Sequence, residues 1–564
     1  MSKYLFIVFF LITSTSSLIG YSSANGFKVK KTGKIKGVVK NQDKSPLTGV
    51  SIFAKGTYDG TTSDSLGQFS FSLSRPKDSV TIVARYLGHA PFSQTFLLTN
   101  NELFLNITLI DTNASTNTVV ITAGAFEASD EKKGVLLRPL DIVTTAGAMG
   151  DIAAALTTLP GTQAVGEDGQ LFVRGGTAGE TRTFIDGMRA PFFYTSQVPD
   201  VPARGRFSPF LFKGTLFTTG GYSAEYGQAL SSALILETQD LPKESQTSVS
   251  LMTIGLGAAH TQRWKKSSLS VSADYTNMAP YFSLIPQRFS FQQFPEGVNG
   301  AIGFRQQMGK TNLLKGYGTF SRNEVALSYP AVGNDAAATV RLVNENSYLQ
   351  STGRWLAGKW LINGGLTYTT NLDRYNLADG DVERNGKEAQ GKITFWRSFS
   401  KKISLRTGAT VVRAERSEYF TPKGTTIQQG GNLNETLAAA FAEADIRIGR
   451  KWALRTGLRS EYSTLLQRAN LAPRLSLAWQ TSKYGQISAA YGVFYQNPPY
   501  ERLWSEPTID YEQSQHLMLN YQWSKSNRTF RIEGYYKQYN RLLRFDPTAP
   551  YNPNSITSDG DGFA

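Results

Sequence analysis

Three lone charges stand beside glycines within one stretch of the chain, Leu171 to Thr238: Arg174 before Gly175-Gly176, Asp186 before Gly187, and Glu225 inside Gly220–Gly227. A charge held in a compact, glycine-rich setting needs hydrogen-bonded partners, so these three read first as anchoring ion-pair residues. Between them, Met188 to Phe207 interleaves cations and rings: Arg189, Phe192, Phe193, Tyr194, Arg204 and Arg206. That combination suits an anionic chelate through charge and cation–π contact, or a sugar through stacking, and it equally suits packing residues. None of this is catalytic spacing. The chain has no cysteine, which removes thiol nucleophiles, thiolate metal sites and disulfides together. Its histidines, His89, His260 and His516, are far apart and none forms a His-x-x-Glu pair. No catalytic, metal-binding or cofactor-binding constellation emerges.

The elements that must position these residues are short. Leu171 to Thr238 consists of brief apolar runs separated by glycine pairs, which predicts a turn-rich domain of short strands, built to sit inside a larger host. Before it, Ile152, Leu156 and Leu159 share a face, Asp151 is a candidate cap, and Pro160-Gly161 ends the segment, predicting a helix between Leu140 and Gly161.

The composition suits an all-β protein: 52 glycines and 26 tyrosines, with only 18% charged residues. The net charge of +15 is dispersed, with no dense basic run beyond Lys28–Lys36, so nucleic acid is not a predicted partner. Lys3, the apolar Tyr4–Ile12 and the small residues Ser22-Ser23-Ala24 predict a cleaved secretory signal peptide over residues 1–24. No other apolar run reaches the length of about 18 residues that a spanning helix needs. The absence of cysteine predicts that there is no lipoprotein anchor.

From Gly33 to about Leu109 the runs Val38-Val39, Val50–Phe53, Phe69–Leu73 and Val80–Arg85 alternate with turn signals, which predicts a small β-sandwich over residues 25–110. Its pieces Gly37-Val38-Val39, Leu47-Thr48-Gly49-Val50, Gly56-Thr57, Gly60–Asp64, Gly67-Gln68-Phe69 and Tyr86-Leu87-Gly88 resemble the carboxypeptidase-regulatory-like domain. Without clustered zinc ligands, a binding or spacer module is expected. Residues 111–133 follow as a polar linker around one β-prone pentapeptide, Val119, Val120, Ile121, Thr122 and Ala123. Two roles fit it: an extra strand added to a partner's sheet edge, or an ordinary strand of the next domain.

After Ser245 the pattern settles into period-2 alternation. Trp452, Leu454, Thr456, Leu458 and Tyr462 share one face and Arg455, Arg459 and Glu461 the other; Leu475, Leu477 and Trp479 oppose Arg474, Ser476 and Gln480; Leu517, Leu519, Tyr521 and Trp523 oppose His516, Asn520 and Gln522. An apolar face toward lipid, a polar face toward a lumen and aromatics near the strand ends predict an antiparallel transmembrane β-barrel over residues 245–564. Lys401-Lys402 and Gly449–Lys451 read as tight turns, while Asn277–Asn299, Asn371–Lys387 and Gln496–Tyr511 read as long loops. About 14 strands are legible, against the roughly 22 of a barrel wide enough to hold a plug. Pro550 to Ala564 reads as a polar loop, so the barrel is expected to be truncated.

Taken together, these features resemble a TonB-dependent outer-membrane receptor carrying an N-terminal carboxypeptidase-regulatory-like extension. The motifs that carry the resemblance are Leu159-Pro160-Gly161, Val173–Gly176, Ile185-Asp186-Gly187 and Gly220–Gly227 in the inner domain, with Leu471–Leu475 and Tyr491–Tyr495 in the barrel. The fold it implies is mostly β: a small sandwich, an α+β plug over 134–240, and the barrel. It makes Val119–Ala123 similar to a TonB box, which pairs with a periplasmic energy transducer. Arg174, Asp186 and Glu225 become plug–barrel residues, and Arg189, Phe192, Phe193, Tyr194, Arg204 and Arg206 solute-contact candidates. The implied activity is energised import of a scarce solute, by default a ferric siderophore-type chelate, with glycans or peptides as further classes and a surface lipoprotein as a further partner. The alternative is a signalling receptor whose N-terminal domain relays ligand occupancy.

Overall fold

The computed structural model describes residues 33–42, 44–55, 57, 59–73, 79–86, 89–98, 102–111, 135–137, 139–148, 150–165, 169–198, 201, 204–285, 290–309, 311–329, 338–400, 402–449, 451–482, 484–500, 509–525, 528–545 and 556–564. The signal-peptide segment and the Val119–Ala123 pentapeptide lie outside the described residues.

The N-terminal strands are β1 (Lys34–Asn41), β2 (Ser51–Ala54), β3 (Gly60–Thr62), β4 (Gln68–Ser72), β5 (Ser79–Arg85), β6 (His89–Ala90), β7 (Phe92–Leu97) and β8 (Glu102–Asp111). They form two four-stranded sheets, ordered β4-β1-β8-β6 and β3-β2-β5-β7. Between the sheets lies one apolar core that includes Ile35, Val39, Ile52, Ile82 and Ile107. This is a sandwich, and every strand anticipated from alternation is present in it.

The next unit comprises β9 (Val135–Leu137), α1 (Pro139–Thr144), α2 (Ile152–Leu156), β10 (Thr162–Gln163), β11 (Phe172–Val173), β12 (Thr181–Ile185), β13 (Met188–Arg189), β14 (Phe212–Thr218) and β15 (Ser232–Thr238). Its main sheet runs β13-β12-β15-β14-β9 and mixes a parallel β12/β15 pair with antiparallel neighbours. Asp151 caps α2 by accepting from the Ala154 amide at 2.9 Å. The helix is only five residues long and stops before Leu159, which packs on the core from the turn that follows.

The remaining chain forms one sixteen-stranded antiparallel sheet in sequence order. Its strands are β16 (Gln246–Met252), β17 (Gly255–Arg263), β18 (Ser267–Asn277), β19 (Ser290–Met308), β20 (Asn312–Ser328), β21 (Thr339–Ala357), β22 (Trp360–Asn376), β23 (Gly380–Ser400), β24 (Ile403–Pro422), β25 (Gln429–Ile448), β26 (Trp452–Ser463), β27 (Arg468–Gln480), β28 (Gly485–Gln496), β29 (Glu512–Lys525), β30 (Arg528–Phe545) and β31 (Ile556–Phe563). Among the described residues, no pairing joins β16 to β31.

Four sequence expectations need correction, the first being that Asn277–Asn299 is all loop, since β19 already starts at Ser290. Sixteen strands are present, not about 14. The segment after Pro550 is not all loop, because β31 pairs with β30. Asn371–Lys387 is not a long loop: β22 runs to Asn376, β23 starts at Gly380, and a three-residue turn joins them. Strands β19–β25 have 17 to 21 residues. About 9–11 would cross a membrane, so these strands continue well past the lipid as paired ribbons.

The sheet curves around the β9–β15 unit, and the two faces of its strands differ as two solvents require. On β22, Leu366 and Tyr368 are exposed outward while Thr367, Thr369, Asn371 and Asp373 are buried inward. The outer face at the short-turn end carries a ring of tryptophans: Trp264, Trp355, Trp360, Trp452, Trp479 and Trp523 all lie at or near tight turns, and Trp452 stacks on Trp479 with centroids 5.4 Å apart, while Trp396 sits at the same end on the inward face opposite Arg406. No described helix is long and apolar enough to cross a membrane.

Candidate functional site

The glycine pairs position the lone charges. Asp186 (φ 47°) and Gly187 (φ 82°) are the two central residues of the β12–β13 hairpin, with Ile185 opposite Met188. Arg174 (φ 48°) and Gly175 (φ 74°) do the same between Val173 and Gly176. Two consecutive positive-φ residues are the signature of a type I′ turn, which tolerates Asp and strongly favours Gly second. An Arg in the first position is strained, and its side chain is thereby aimed outward at the wall.

Each charge meets the barrel there. Arg174 pairs with Glu533 on β30, and its guanidinium lies 4.8 Å from the centroid of Tyr535. Asp186 accepts from the Thr238 amide at 2.9 Å, and Lys315 of β20 approaches it at 3.5 Å. Glu225 is gripped by two cations, Lys392 Nζ and Arg406 Nη1, each at 2.8 Å. Burial alone would raise the Glu225 pKa, but Lys392 and Arg406 outweigh it and hold the carboxyl down at about 2. The Gly220-Gly221 pair allows close approach: a Cβ on Gly220 would lie 3.1 Å from His516 Nδ1, and one on Gly221 3.3 Å from Met518 Sδ. His516 donates its other ring nitrogen to the Leu230 carbonyl, 2.7 Å away, which makes it another plug–wall tie.

The solute-contact candidates divide. Phe193 is buried in the plug core, stacked on Phe207 with centroids 5.8 Å apart, so it is not a surface for ligand. Arg189 is consumed by a bidentate bond to Glu388 at 3.0 and 2.7 Å. Arg206 spans the Phe192 and Tyr194 carbonyls and the wall residues Asn344, Ser321 and Asn371. Burial pushes its pKa down to about 10, with Asp373 opposing, so it stays charged at neutral pH. These two arginines fasten the plug segment instead of presenting it. Phe192, Tyr194 and Arg204 keep solvent-accessible surface. Phe192 lies under Arg416, which also covers Tyr500, each ring centroid 5.0 Å from the guanidinium.

The wall partners Glu388, Lys392, Arg406, Glu443 and Glu533 were missed from sequence, whereas Arg459 and Glu461 were placed on the polar face without a partner. The available signal was the polar face itself: Glu388, Gln390 and Lys392 alternate on one side of β23, and charge at every second position of a spanning strand marks the lumen. Glu443 accepts from Ser223 Oγ and the Ala224 amide at 2.9 and 2.8 Å, and Glu461 accepts from Gln228 Nε2 at 2.9 Å. The result is a domain tied into a polar lumen by buried, geometrically satisfied charge pairs.

Residues 35–121 match the CarboxypepD_reg-like domain family. No curated protein sequence matches the chain significantly. Among solved structures, a mutant of the ferric enterobactin receptor PfeA from Pseudomonas aeruginosa superposes with a TM-score of 0.56 at 12% identity, covering 74% of this chain and 73% of that one. The outer membrane transporter YddB from Escherichia coli gives 0.56 at 10%, covering 74% and 71%. A double mutant of the Serratia marcescens hemophore receptor HasR, in complex with its hemophore HasA and heme, gives 0.57 at 11%, covering 73% of each chain. At such identities the likeness is one of fold. Residues 263–561, more than half of the chain, match the family described as TonB dependent receptor-like, beta-barrel, and the chain belongs to that family.

Proposed function

We propose that this chain is an outer-membrane receptor that imports a scarce solute, with energy delivered through a TonB-type periplasmic transducer engaging Val119–Ala123. The observation that carries the reading is the plug itself, a folded domain occupying the lumen and held there by ion pairs such as Glu225 with Lys392 and Arg406. A lumen so filled does not pass solute by diffusion, and parting a buried pair such as Glu225 with Lys392 is costly, which is work an energy transducer would supply. Ferric siderophore-type chelates are the default cargo class, since PfeA is a ferric enterobactin receptor; glycans and peptides are the next. Growth and expression across iron-limited, glycan and peptide media identify the inducing nutrient. Deleting Val119–Ala123 is then expected to abolish its uptake while leaving surface binding intact, and unchanged uptake would sink the energised-import reading.

A signalling role draws on one contact. The N-terminal sandwich touches the short-turn end of the barrel, where Ser65 Oγ donates to the Lys359 carbonyl at 3.4 Å and Arg447 Nη1 donates to Thr61 Oγ1 at 3.2 Å. A domain resting on barrel turns can sense their movement. Deleting Gly33–Leu109 tests it: loss of a transcriptional response with import intact supports relay, whereas an intact response rejects it.

A further inference from the structure

The plug does not meet its wall evenly. From β20 to β30 the inward side chains are buried against it and tied to it: Asn344 to Arg206, Glu388 to Arg189, Lys392 to Glu225, Glu443 to Ser223, Glu461 to Gln228, and Glu533 to Arg174. The arc β17–β19, next to the edge strand β16 that pairs with no further described strand, is different in chemistry and in cover. Its inward positions are small and mostly uncharged: Ser268, Ser270 and Ser272 on β18 stand opposite Arg305, Gly303 and Ala301 on β19. Ser270, Ser272, Asn299 and Ala301 are only half-buried, and Asp274 above them is exposed. Cover returns at the short-turn end. There Ser268 is fully buried with no hydrogen-bond partner for its hydroxyl, and Arg305 donates Nε to the Gln239 carbonyl at 3.1 Å.

We propose that solute passes between the plug and the β17–β19 arc, with the plug staying fastened to β20–β30 and the Arg305–Gln239 contact forming the last barrier. The inference rests on the import reading above and names the wall that cargo uses. A force on the plug parts its weakest boundary first. On the anchored side that boundary consists of buried ion pairs of Arg189 with Glu388, Glu225 with Lys392 and Arg174 with Glu533, together with buried hydrogen bonds to Asn344, Glu443 and Glu461, and breaking a buried pair is costly. On the arc the ties among the described residues are two guanidinium–carbonyl bonds to the backbone just after β15, Arg305 Nε to Gln239 at 3.1 Å and Arg263 Nε to Pro242 at 2.8 Å. The lining suits passage as well: hydroxyls, an amide and small side chains give a hydrophilic solute weak, replaceable hydrogen bonds, and the inward cations Arg263 and Arg305 stand only at the short-turn end.

Because the chain has no cysteine, the route can be tested with single thiols. Ser268→Cys lies on the arc and gives up no hydrogen bond; Thr369→Cys, at 2% exposure, lies under the plug on the anchored wall. The full-length variants, in intact cells, are treated from outside with a membrane-impermeant maleimide too large for general porins, with and without a protonophore. Energised cells are expected to label Ser268→Cys faster by roughly tenfold or more, as for any site exposed by transient opening, with Thr369→Cys unchanged. Faster labelling of Thr369→Cys alone would overturn the route while leaving import standing. Energy-independent labelling at both positions would overturn import and the route with it. A second variant checks that the plug stays fastened. A Cβ on Gly457 would lie 3.0 Å from that of Ala224, close enough for a disulfide after a shift of a few tenths of an ångström. In Ala224→Cys/Gly457→Cys/Ser268→Cys, oxidation is expected to leave energised labelling of residue 268 intact; loss on oxidation and recovery on reduction would show that the plug must leave this wall, against the proposal.

Discussion

Glu225 shows what one residue does in this lumen. It is 9% exposed and Lys392 6%, while Arg406 is 43% exposed, so the pair with Lys392, at 2.8 Å, is the buried one. Replacing it by Gln keeps the shape but strands a buried ammonium, which should cost about 3 kcal/mol; urea-driven release of the plug, followed by protease sensitivity, should shift to lower urea. The pH dependence has a definite sign. The folded pKa of about 2 lies below the unattached value of 4.5, so the contribution is fully present above pH 4.5 and is lost as pH falls toward 2. The difference in stability between the native protein and Glu225→Gln should therefore shrink over that window. An equal difference at pH 7 and pH 2.5 would show that the carboxylate charge is not what binds the plug. From sequence, Arg174 and Asp186 were visible because an I′ turn has a local signature, and Glu225 because it is a lone charge among glycines. Their partners were not, since Glu533 lies more than 300 residues from Arg174 and nothing local records that pairing.

At the scale of elements, α2 rests on its cap. Asp151 accepts from the Ala154 amide and also, through its second oxygen, from the Gly205 amide at 2.6 Å, so one carboxylate joins the helix start to the solute-candidate segment. Asp151→Ala should cost about 1–2 kcal/mol of local stability. Hydrogen exchange should accelerate at both Ala154 and Gly205; acceleration at Ala154 alone would mean the second bond contributes nothing. The strands teach a different lesson. Inside the lipid band the alternation Leu475, Leu477, Trp479 against Arg474, Ser476, Gln480 was plain, because two solvents print two faces. In Asn371–Lys387 the same ladder continues beyond lipid, where both faces are wet and the period disappears. The hydrogen bonds persist without the pattern that announces them, so the segment read as loop. Likewise β31, with Asp559-Gly560-Asp561-Gly562, has little β propensity of its own and owes its conformation to the edge of β30.

For the whole molecule, the tryptophan ring fixes depth and orientation. An indole prefers the interface, where its ring is apolar-solvated and its N–H meets water. Six of the seven described tryptophans, all but the inward-facing Trp396, lie on the outer face of the short-turn rim, so tryptophan fluorescence should be quenched more strongly by lipids brominated near the headgroup than by lipids brominated at the chain end. The opposite order would displace the rim from the interface. The same rim carries the sandwich, which places that domain on the side of the membrane where the turns are tight. The rim at the other end is not level. Strands of about 20 residues, tilted by about 40°, rise roughly 50 Å, against an apolar band about 25 Å tall, whereas β16, β17 and β18 have 7, 9 and 11 residues. The described wall thus steps down from 19 residues at β19 to 7 at β16, so the arc of small serines and glycines proposed as the route stands beside its lowest part, and a solute on that route would clear far less wall than one crossing the ribbons of β20–β25.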